Sequence, residues 1–476
     1  MQIQRLICPI LAFAGLLLAP TGPLEAQTDD PLPAAVANAL RAAGIPTSAV
    51  GVVVQDLATS RPIVAFNSAT PFNPASTMKL VTTYAGLELL GPAYRWKTEA
   101  YLGGPLRDGT LEGDLVLKGQ GDPKVTLEAF WLLLRELRAR GLREVKGDLV
   151  VDRSRFAAGD FDASRFDGDS TRPYNVGPDA LLLNFKSIRF QFVPDLERRL
   201  VRAYAEPRIV EAAGDLRLTD TPCGEWRDRM KADFQSQGPA PRAVFSGTYS
   251  AACGEKDWHV AMLAPNQYAG SLFRLLWGEL GGSIGGVLRD GTAPPGKPFA
   301  SLESPSLAEV VRDINKYSNN VMARQLFLTI AAEQGGIPAT TAGAQSAIKA
   351  WLARKGLDFP EMVMENGSGL SRIERISAQS LSTLLVTAFR SPVMPELLAS
   401  LPLVAVDGTM RRRLKSESVA GQAHIKTGSL AEVRAIAGYV LDRNGRRFAV
   451  TMIANHVNAQ QSQAAQDALL NWVYTR

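Results

Sequence analysis

Apolar residues change period several times along the chain, and each change marks an element. Val50 to Asp56 is an apolar, β-branched run, Leu57 to Arg61 reads as a turn, and Pro62 to Asn67 returns, which predicts a hairpin. A helix is expected next. Asn73 suits its N-cap, Pro74 its first helical position, and Leu80, Val81, Tyr84, Leu87 and Leu90 recur at helical spacing. Helical patterns return at Ser306 to Glu333 and Thr340 to Lys355.

Strand patterns reappear near the other end. Ala423 to Lys426 reads as a strand entering a turn at Thr427-Gly428, and Ala435 to Asp442 as a second strand. Arg443-Asn444-Gly445 is a hairpin turn, and Phe448 to Asn455 is a third strand. Ala459 to Tyr474 closes the chain as a helix, with Ala465, Leu469, Leu470 and Val473 on one face. Two strands from one end and three from the other predict one five-stranded antiparallel sheet with helices on its faces, an α/β domain. From about Trp96 to Ile284 the chain is instead rich in short β-like stretches and Gly, Pro and Asp turns, such as Gly113 to Lys118 and Gly147 to Asp152. That stretch reads as one or two β-rich insertions.

The length of 476 residues is too great for one core, in keeping with two or three domains. Arg5 precedes an apolar run from Leu6 to Ala19, which Pro20, Gly22 and Pro23 end, and Leu24-Glu25-Ala26 offers a small residue for cleavage. A signal peptide over 1–26 is expected, and a periplasmic mature chain without a membrane span. A retained anchor is the alternative, disfavoured by the short run and by Pro9. Cys8 would leave with the signal. Cys223 and Cys253 remain, either a disulfide or two free thiols; an oxidising compartment favours the disulfide. The net charge of +5 is spread along the chain, which permits mild attraction to an anionic wall polymer but gives no nucleic-acid site. Three separated His residues have no metal-ligand spacing, so neither metal nor cofactor is expected.

Three short motifs carry candidate chemistry. Ser76-Thr77-Met78-Lys79 puts a hydroxyl and an amine on one helix face, at a helix N-terminus where amide dipoles favour a developing oxyanion. A lysine can take a serine proton only if burial or a nearby cation keeps it partly neutral. The same spacing at Ser346 to Lys349 falls mid-helix and reads as a solvated face. Ser318-Asn319-Asn320 offers a relay hydroxyl and an amide for a substrate carbonyl; otherwise it is a polar turn between helices. Lys426-Thr427-Gly428 offers a cation for a terminal carboxylate and a residue without a side chain, so that a substrate backbone can lie on the strand. Each motif is weak alone. In this order and context they match the active-serine set of penicillin-binding proteins and β-lactamases.

The chain thus resembles the class C low-molecular-mass penicillin-binding proteins, the D-alanyl-D-alanine carboxypeptidase/endopeptidases, over nearly all its mature length. The likeness takes in Asn73 to Lys79, Gly119 to Pro123, Tyr174-Asn175-Val176 and Ala180 to Asn184. It continues through Lys316 to Asn320, Asn366 to Arg372, Asp407 to Met410 and His424 to Ser429. Asn366 stands where relatives often carry Asp.

The resemblance implies a penicilloyl-serine-transferase fold with two domains inserted between the first two motifs. The division is then 1–26 signal, 27–96 with 285–476 peptidase domain, 97–186 with 264–284 first insert, and 187–263 second insert nested in it. The two Cys resemble a pair in the family's inserted region. It implies further that Ser76 attacks the bond between two D-Ala residues, Lys79 takes the proton, and Ser318 and Asn320 complete the relay and hold substrate. Lys426 and Thr427 would hold the carboxylate, beside Gly428, and the amides of Ser76 and Ser429 would bind the oxyanion. Arg372, and by weaker alignment Asp152 and Phe156, would form a pocket for the stem-peptide side chain. The partners implied are peptidoglycan stem peptides and, as inhibitors, β-lactam antibiotics. A β-lactamase or esterase with the same set is disfavoured by the long insertion. An inactive wall-binding scaffold is disfavoured by the intact catalytic residues.

Overall fold

The computed structural model describes residues 31–476 apart from 160 and 239. The expected signal, its cut after Ala26 and Cys8 lie outside the described residues. Among the described residues no helix is long and apolar enough to cross a membrane.

The five-stranded antiparallel sheet is present. Its order is Pro62–Phe66, Val50–Asp56, Arg447–Asn455, Val433–Leu441 and Ala423–Leu430. Val50 pairs with Ala454 and Asp56 with Phe448, so chain ends about four hundred residues apart lie side by side. Successive residues of the central strands are buried on opposite faces, which is why these strands read as near-continuous apolar runs. Ala437, Tyr439 and Ala449 pack on one side against Lys79–Leu90, Leu307–Lys316, Asn320–Gly335 and Ala378–Phe389. Ile436, Val440, Phe448 and Val450 pack on the other against Ala34–Ala42 and Gln463–Tyr474. Ala465, Leu469, Leu470 and Val473 of the closing helix are fully buried there, as their spacing predicts.

Ala423–Leu430 corrects one expectation. The strand does not turn at Thr427-Gly428 but runs on, with Gly428 opposite Ala435 and Leu430 opposite Val433. The reversal comes at Ala431-Glu432. Glycine was a misleading turn signal here, because its role is close approach by a neighbouring backbone.

The long middle segment forms further sheets. Leu288–Asp290, Leu149–Asp152, Leu115–Gly119, Lys97–Leu102 and Ala300–Glu303 make one five-stranded sheet in that order. A seven-stranded sheet is drawn wholly from residues 188–260. Two helices within this region, Leu127–Ala139 and Pro265–Glu279, go beyond the sequence reading, as does Ala34–Ala42. Their helical signal was there to read: Phe130, Leu133, Leu134 and Leu137 share one buried face, and Thr126 Oγ1 accepts the Ala129 N–H at 3.3 Å as an N-cap. Each such apolar side chain contributes about 1.5–3 kcal/mol on burial.

The excursion is clasped where it leaves the catalytic half. Trp96 N donates to Ser304 Oγ and Ser304 N donates to Trp96 O, both at 3.0 Å. Lys97–Leu102 and Ala300–Glu303 then run antiparallel from this clasp.

Cys223 and Cys253 are joined as a disulfide, closing a sequence separation of 30 residues in the seven-stranded region. Such a loop restrains the unfolded chain by about 3.5 kcal/mol. The double variant Cys223→Ser, Cys253→Ser is expected to lose about that much stability in the transition that melts this region. Calorimetry of both proteins without reductant measures the difference.

Candidate active site

Ser76 sits in a tight turn locked by its neighbours. Asn73 N donates to Asn455 Oδ1 at 2.8 Å and Asn455 Nδ2 returns a bond to Asn73 O at 3.0 Å. Asn73 Nδ2 donates to Ser371 O and its Oδ1 accepts the Ala75 N–H, both at 2.9 Å. The expected helix start at Pro74 is therefore shifted. Ala75 has φ 45°, Ala75–Met78 is a 3-10 turn, and the α-helix begins at Lys79. In a 3-10 turn residues three apart eclipse, which sets Ser76 and Lys79 directly over one another.

Two glycines lie close against this turn. A Cβ on Gly369, φ +78°, would come 2.0 Å from Ala75 O, and a Cβ on Gly428 would come 2.6 Å from Pro74 O and 3.1 Å from Ser76 N. Gly428 therefore admits the Ser76 turn itself, rather than substrate, to its side of the strand.

Lys79 is wholly buried, and its Nζ has three neighbours: Asn320 Oδ1 at 2.6 Å, the Ser368 carbonyl at 2.5 Å and Ser76 Oγ at 3.0 Å. The first two only accept. A neutral amine has two N–H groups for them and a lone pair left for the Ser76 hydroxyl. Burial pulls the Lys79 pKa well down, and the charges of Lys426 and Arg324 pull it further, against Glu374. Lys426, also wholly buried, is brought by burial from an ordinary 10.5 to about 7. Its Nζ donates to Ser318 Oγ at 2.9 Å and to Thr427 O at 2.8 Å.

Ser318 stands at φ 55° in the break between Leu307–Lys316 and Asn320–Gly335. Asn319 Oδ1 caps the second helix by accepting the Met322 N–H at 3.0 Å. The polar-turn reading of this motif thus holds, and the same turn brings Ser318 Oγ to Lys426 Nζ. Lys316 Nζ, beneath it, grips Leu401 O at 2.6 Å and the Asp407 carboxylate at 2.7 and 2.9 Å. That grip carries Thr409 to Thr427, whose hydroxyls meet at 2.7 Å.

Structure thus brings together Ser76, Lys79, Ser318, Asn320, Lys426 and Thr427, with Gly428 behind them and Ser429 exposed next along the strand. Arg372 lies on the exposed side, its guanidinium 4.8 Å from the Phe166 ring centre. Asp152 and Phe156 make no hydrogen bond to this cluster. The buried Asp152 carboxylate holds the N–H groups of Ser154 and Ala293, and Phe156 packs on Gly121 in the inserted region. Ser346 and Lys349 are exposed on their helix, as expected.

Sequence reasoning missed Ser368 and Glu374. Glu374 is fully buried and its Oε1 accepts the N–H groups of Glu365 and Asn366. Asn366 Oδ1 then accepts from Ser368 N and Oγ, and its Nδ2 donates to Leu370 O, a bond an Asp could not make. This chain of bonds aims the Ser368 carbonyl at Lys79. A backbone acceptor leaves no residue-type signal, so only Glu374, a lone acid after an apolar residue, was there to be noticed.

The D-Ala-D-Ala carboxypeptidase 3 (S13) family model matches residues 32–475. The D-alanyl-D-alanine carboxypeptidase of Actinomadura sp. (strain R39) is 29% identical over 448 residues, 88% of this chain and 80% of that one. D-alanyl-D-alanine carboxypeptidase DacB of Haemophilus influenzae is 26% identical over 419 residues, 86% and 85% of the two chains. The crystal structure of penicillin binding protein 4 (dacB) from Haemophilus influenzae matches with TM-score 0.78 at 23% identity, over 93% of this chain and 99% of that one. The same protein complexed with a novel β-lactam matches with TM-score 0.74.

Two outcomes follow for the cluster. Gly369→Ala must displace the Ala75–Ser76 backbone, and a shift near 1 Å costs on the order of 100-fold in rate; single-turnover acylation against a circular dichroism control measures it. Lys426→Met bears on stability. Between pH 7 and 10.5 the unfolded chain binds the Lys426 proton that the fold has released, so wild-type stability rises with pH there. The variant should lose up to about 1.4 kcal/mol per pH unit of that slope, read from denaturant unfolding at several pH values.

Proposed function

The chain belongs to the D-Ala-D-Ala carboxypeptidase 3 (S13) family, and from that premise we propose that Ser76 is the nucleophile of a serine DD-peptidase acting on peptidoglycan stem peptides. The observation that carries this reading is the bonding of Lys79 Nζ: two fixed acceptors and one hydroxyl, on an amine whose pKa burial pulls well down.

Neutral Lys79 accepts the Ser76 proton as Oγ attacks the carbonyl between two D-Ala residues. The amides of Ser76 and Ser429 bind the developing oxyanion, and Asn320 holds a substrate carbonyl. Lys426, charged below about pH 7, and Thr427 take the terminal carboxylate. Ser318, hydrogen-bonded to Lys426, passes a proton to the departing D-Ala nitrogen. Water then hydrolyses the acyl-enzyme. A β-lactam, whose strained amide and carboxylate imitate the terminus, would acylate Ser76 and leave slowly. The complex of the Haemophilus protein with a novel β-lactam supports this. The signal expected at the N-terminus supports a periplasmic site of action, where the wall lies. Arg372 beside Phe166 is the group we assign to stem-peptide side-chain recognition.

Fluorescent penicillin should label the protein at Ser76, and Ser76→Ala should abolish labelling and cut D-Ala release by on the order of 10⁴-fold or more. Cross-linked muropeptides added to the same assay report endopeptidase cleavage. Rapid turnover of the label would favour a β-lactamase instead; absence of label and cleavage would leave a binding scaffold. In kcat/KM against pH, activity should fall in acid as Lys79 gains a proton. It should fall again above about pH 7 as Lys426 loses one. The alkaline limb should vanish for a substrate amidated at its C-terminus, since no carboxylate is then held.

A further inference from the structure

Ala423–Leu430 is the outer strand of the central sheet. Leu403 bridges to His424, but among the described residues no strand pairs with its edge from Lys426 onward. Side chains leave this strand to both faces. Lys426 and Gly428 face Ser318 and the Ser76 turn. Thr427 and Ser429 face the other way. Directly paired residues of antiparallel strands share a face, and Ser429 is paired with Arg434, as Thr427 is with Ile436. Arg434 therefore lies on the second face, one strand in from the open edge. Neighbouring strands are about 4.8 Å apart, a step that an arginine side chain spans.

Arg434 has no partner of its own. Its Nε is buried without a hydrogen bond, and among the described residues no hydrogen bond or ion pair engages its terminal nitrogens, although the side chain is only half-buried. The acceptors on this side are taken. Arg413, whose charge Arg434 feels, donates to Asp467 Oδ1 through Nε at 3.1 Å and to Gln466 Oε1 through Nη1 at 3.3 Å. Glu417 accepts from Asn471 Nδ2 at 3.2 Å, and Asp407 is gripped by Lys316. Arg411, Arg412 and Lys415 are exposed on the same stretch of chain and have no ion pair among the described residues. The balance is positive. Burial and the charge of Arg413 both pull the Arg434 pKa down, so the fold bears a cost for this guanidinium. An anion from outside would relieve it.

The place where that anion would sit is set by the strand. Thr409 and Thr427 join hydroxyls at 2.7 Å, and the chain runs on from Thr409 to Arg413. Arg434 thus lies between Ser429, whose amide is assigned to the oxyanion, and the segment that backs Thr427. A substrate laid along the open edge brings the carboxylate of its leaving residue to this point. Lys426 reaches it only from the other face, with Nζ already donating to Ser318 Oγ and Thr427 O. Burial also brings Lys426 to about 7, whereas an arginine stays charged throughout the working pH range.

We propose that Arg434 is a substrate-binding residue, which holds the C-terminal carboxylate of the stem peptide from the face of the strand opposite Lys426. The identity of the anion rests on the DD-peptidase reading. Recognition of the carboxylate then has two cations of different range in pH, and the fall in activity above pH 7 ends on a plateau that Arg434 sustains.

The readout is the ratio of kcat/KM for a synthetic stem pentapeptide ending in D-Ala-D-Ala to kcat/KM for its C-terminal amide, in which a loss of folded protein cancels. At pH 9 Lys426 is charged in about one molecule in a hundred. Wild type should still favour the acid at least tenfold there. Arg434→Gln should bring the ratio to within twofold of unity, mainly through KM, and Arg434→Lys should keep a preference of at least threefold. A ratio that Arg434→Gln leaves unchanged, or that Arg434→Lys loses as fully, overturns the proposal. Failure of the DD-peptidase reading would appear separately, as no penicillin adduct on Ser76 and no cleavage of either substrate.

Discussion

Two buried amines, both with lowered pKa, lie at the centre of this structure. Lys79 and Lys426 are wholly buried, each within hydrogen-bonding reach of a serine hydroxyl, and the charge of Lys426 makes a proton on Lys79 more costly. A buried charge without a partner costs several kcal/mol, so burial lowers the pKa of both amines. No carboxylate forms a salt bridge with either amine among the described residues. Glu374 lies close enough to oppose the shift on Lys79, but it spends its hydrogen bonds on the backbone. A direct ion pair would have fixed Lys79 as a cation and removed the base. With that carboxylate out of contact, burial outweighs it and the Lys79 pKa stays well down.

That balance requires backbone precision from segments far apart in the chain. Ser76 and Lys79 come from a tight turn, Ser318 and Asn320 from a break between helices, Lys426 from an edge strand, and the Ser368 carbonyl from a loop. What fixes their separations is contact with the main chain: the Asn455 amide on the Asn73 backbone, Gly369 against Ala75, Gly428 against Pro74. The central sheet, with both faces covered by apolar helices, gives these contacts a rigid frame.

Much of this was legible in the sequence, and the reason is local. The terminal hairpins and their shared sheet follow from short-range period and turn chemistry. The serine, lysine and asparagine of the cluster are rare functional types at diagnostic spacing. What was not legible depended on partners distant in sequence. Gly428 looked like a turn because its neighbour, the Ser76 turn, lies some 350 positions away. The helix start slid from Pro74 to Lys79 because Asn455 and Ser371 claim Asn73. Ser368 contributes a carbonyl that every residue has. Asp152 and Phe156 were placed by alignment alone, with no local signal of their own in the sequence. The helices Leu127–Ala139 and Pro265–Glu279 went unread because strand-like stretches on either side dominated the pattern.

The clasp between Trp96 and Ser304 bears on how such a chain reaches its native state. Residues 208 positions apart in sequence are joined there by two hydrogen bonds. A chain that had to close its catalytic half around an unstructured excursion of that length would meet a large loop-closure penalty. Once the excursion has formed its own sheets, its two ends emerge on adjacent strands, and the effective loop shrinks to a few residues. The entropy of closure falls by about 3 kcal/mol. Topologically, the catalytic half then folds as though the intervening two hundred residues were a tight turn, which is how a sheet assembled from both chain termini remains kinetically within reach.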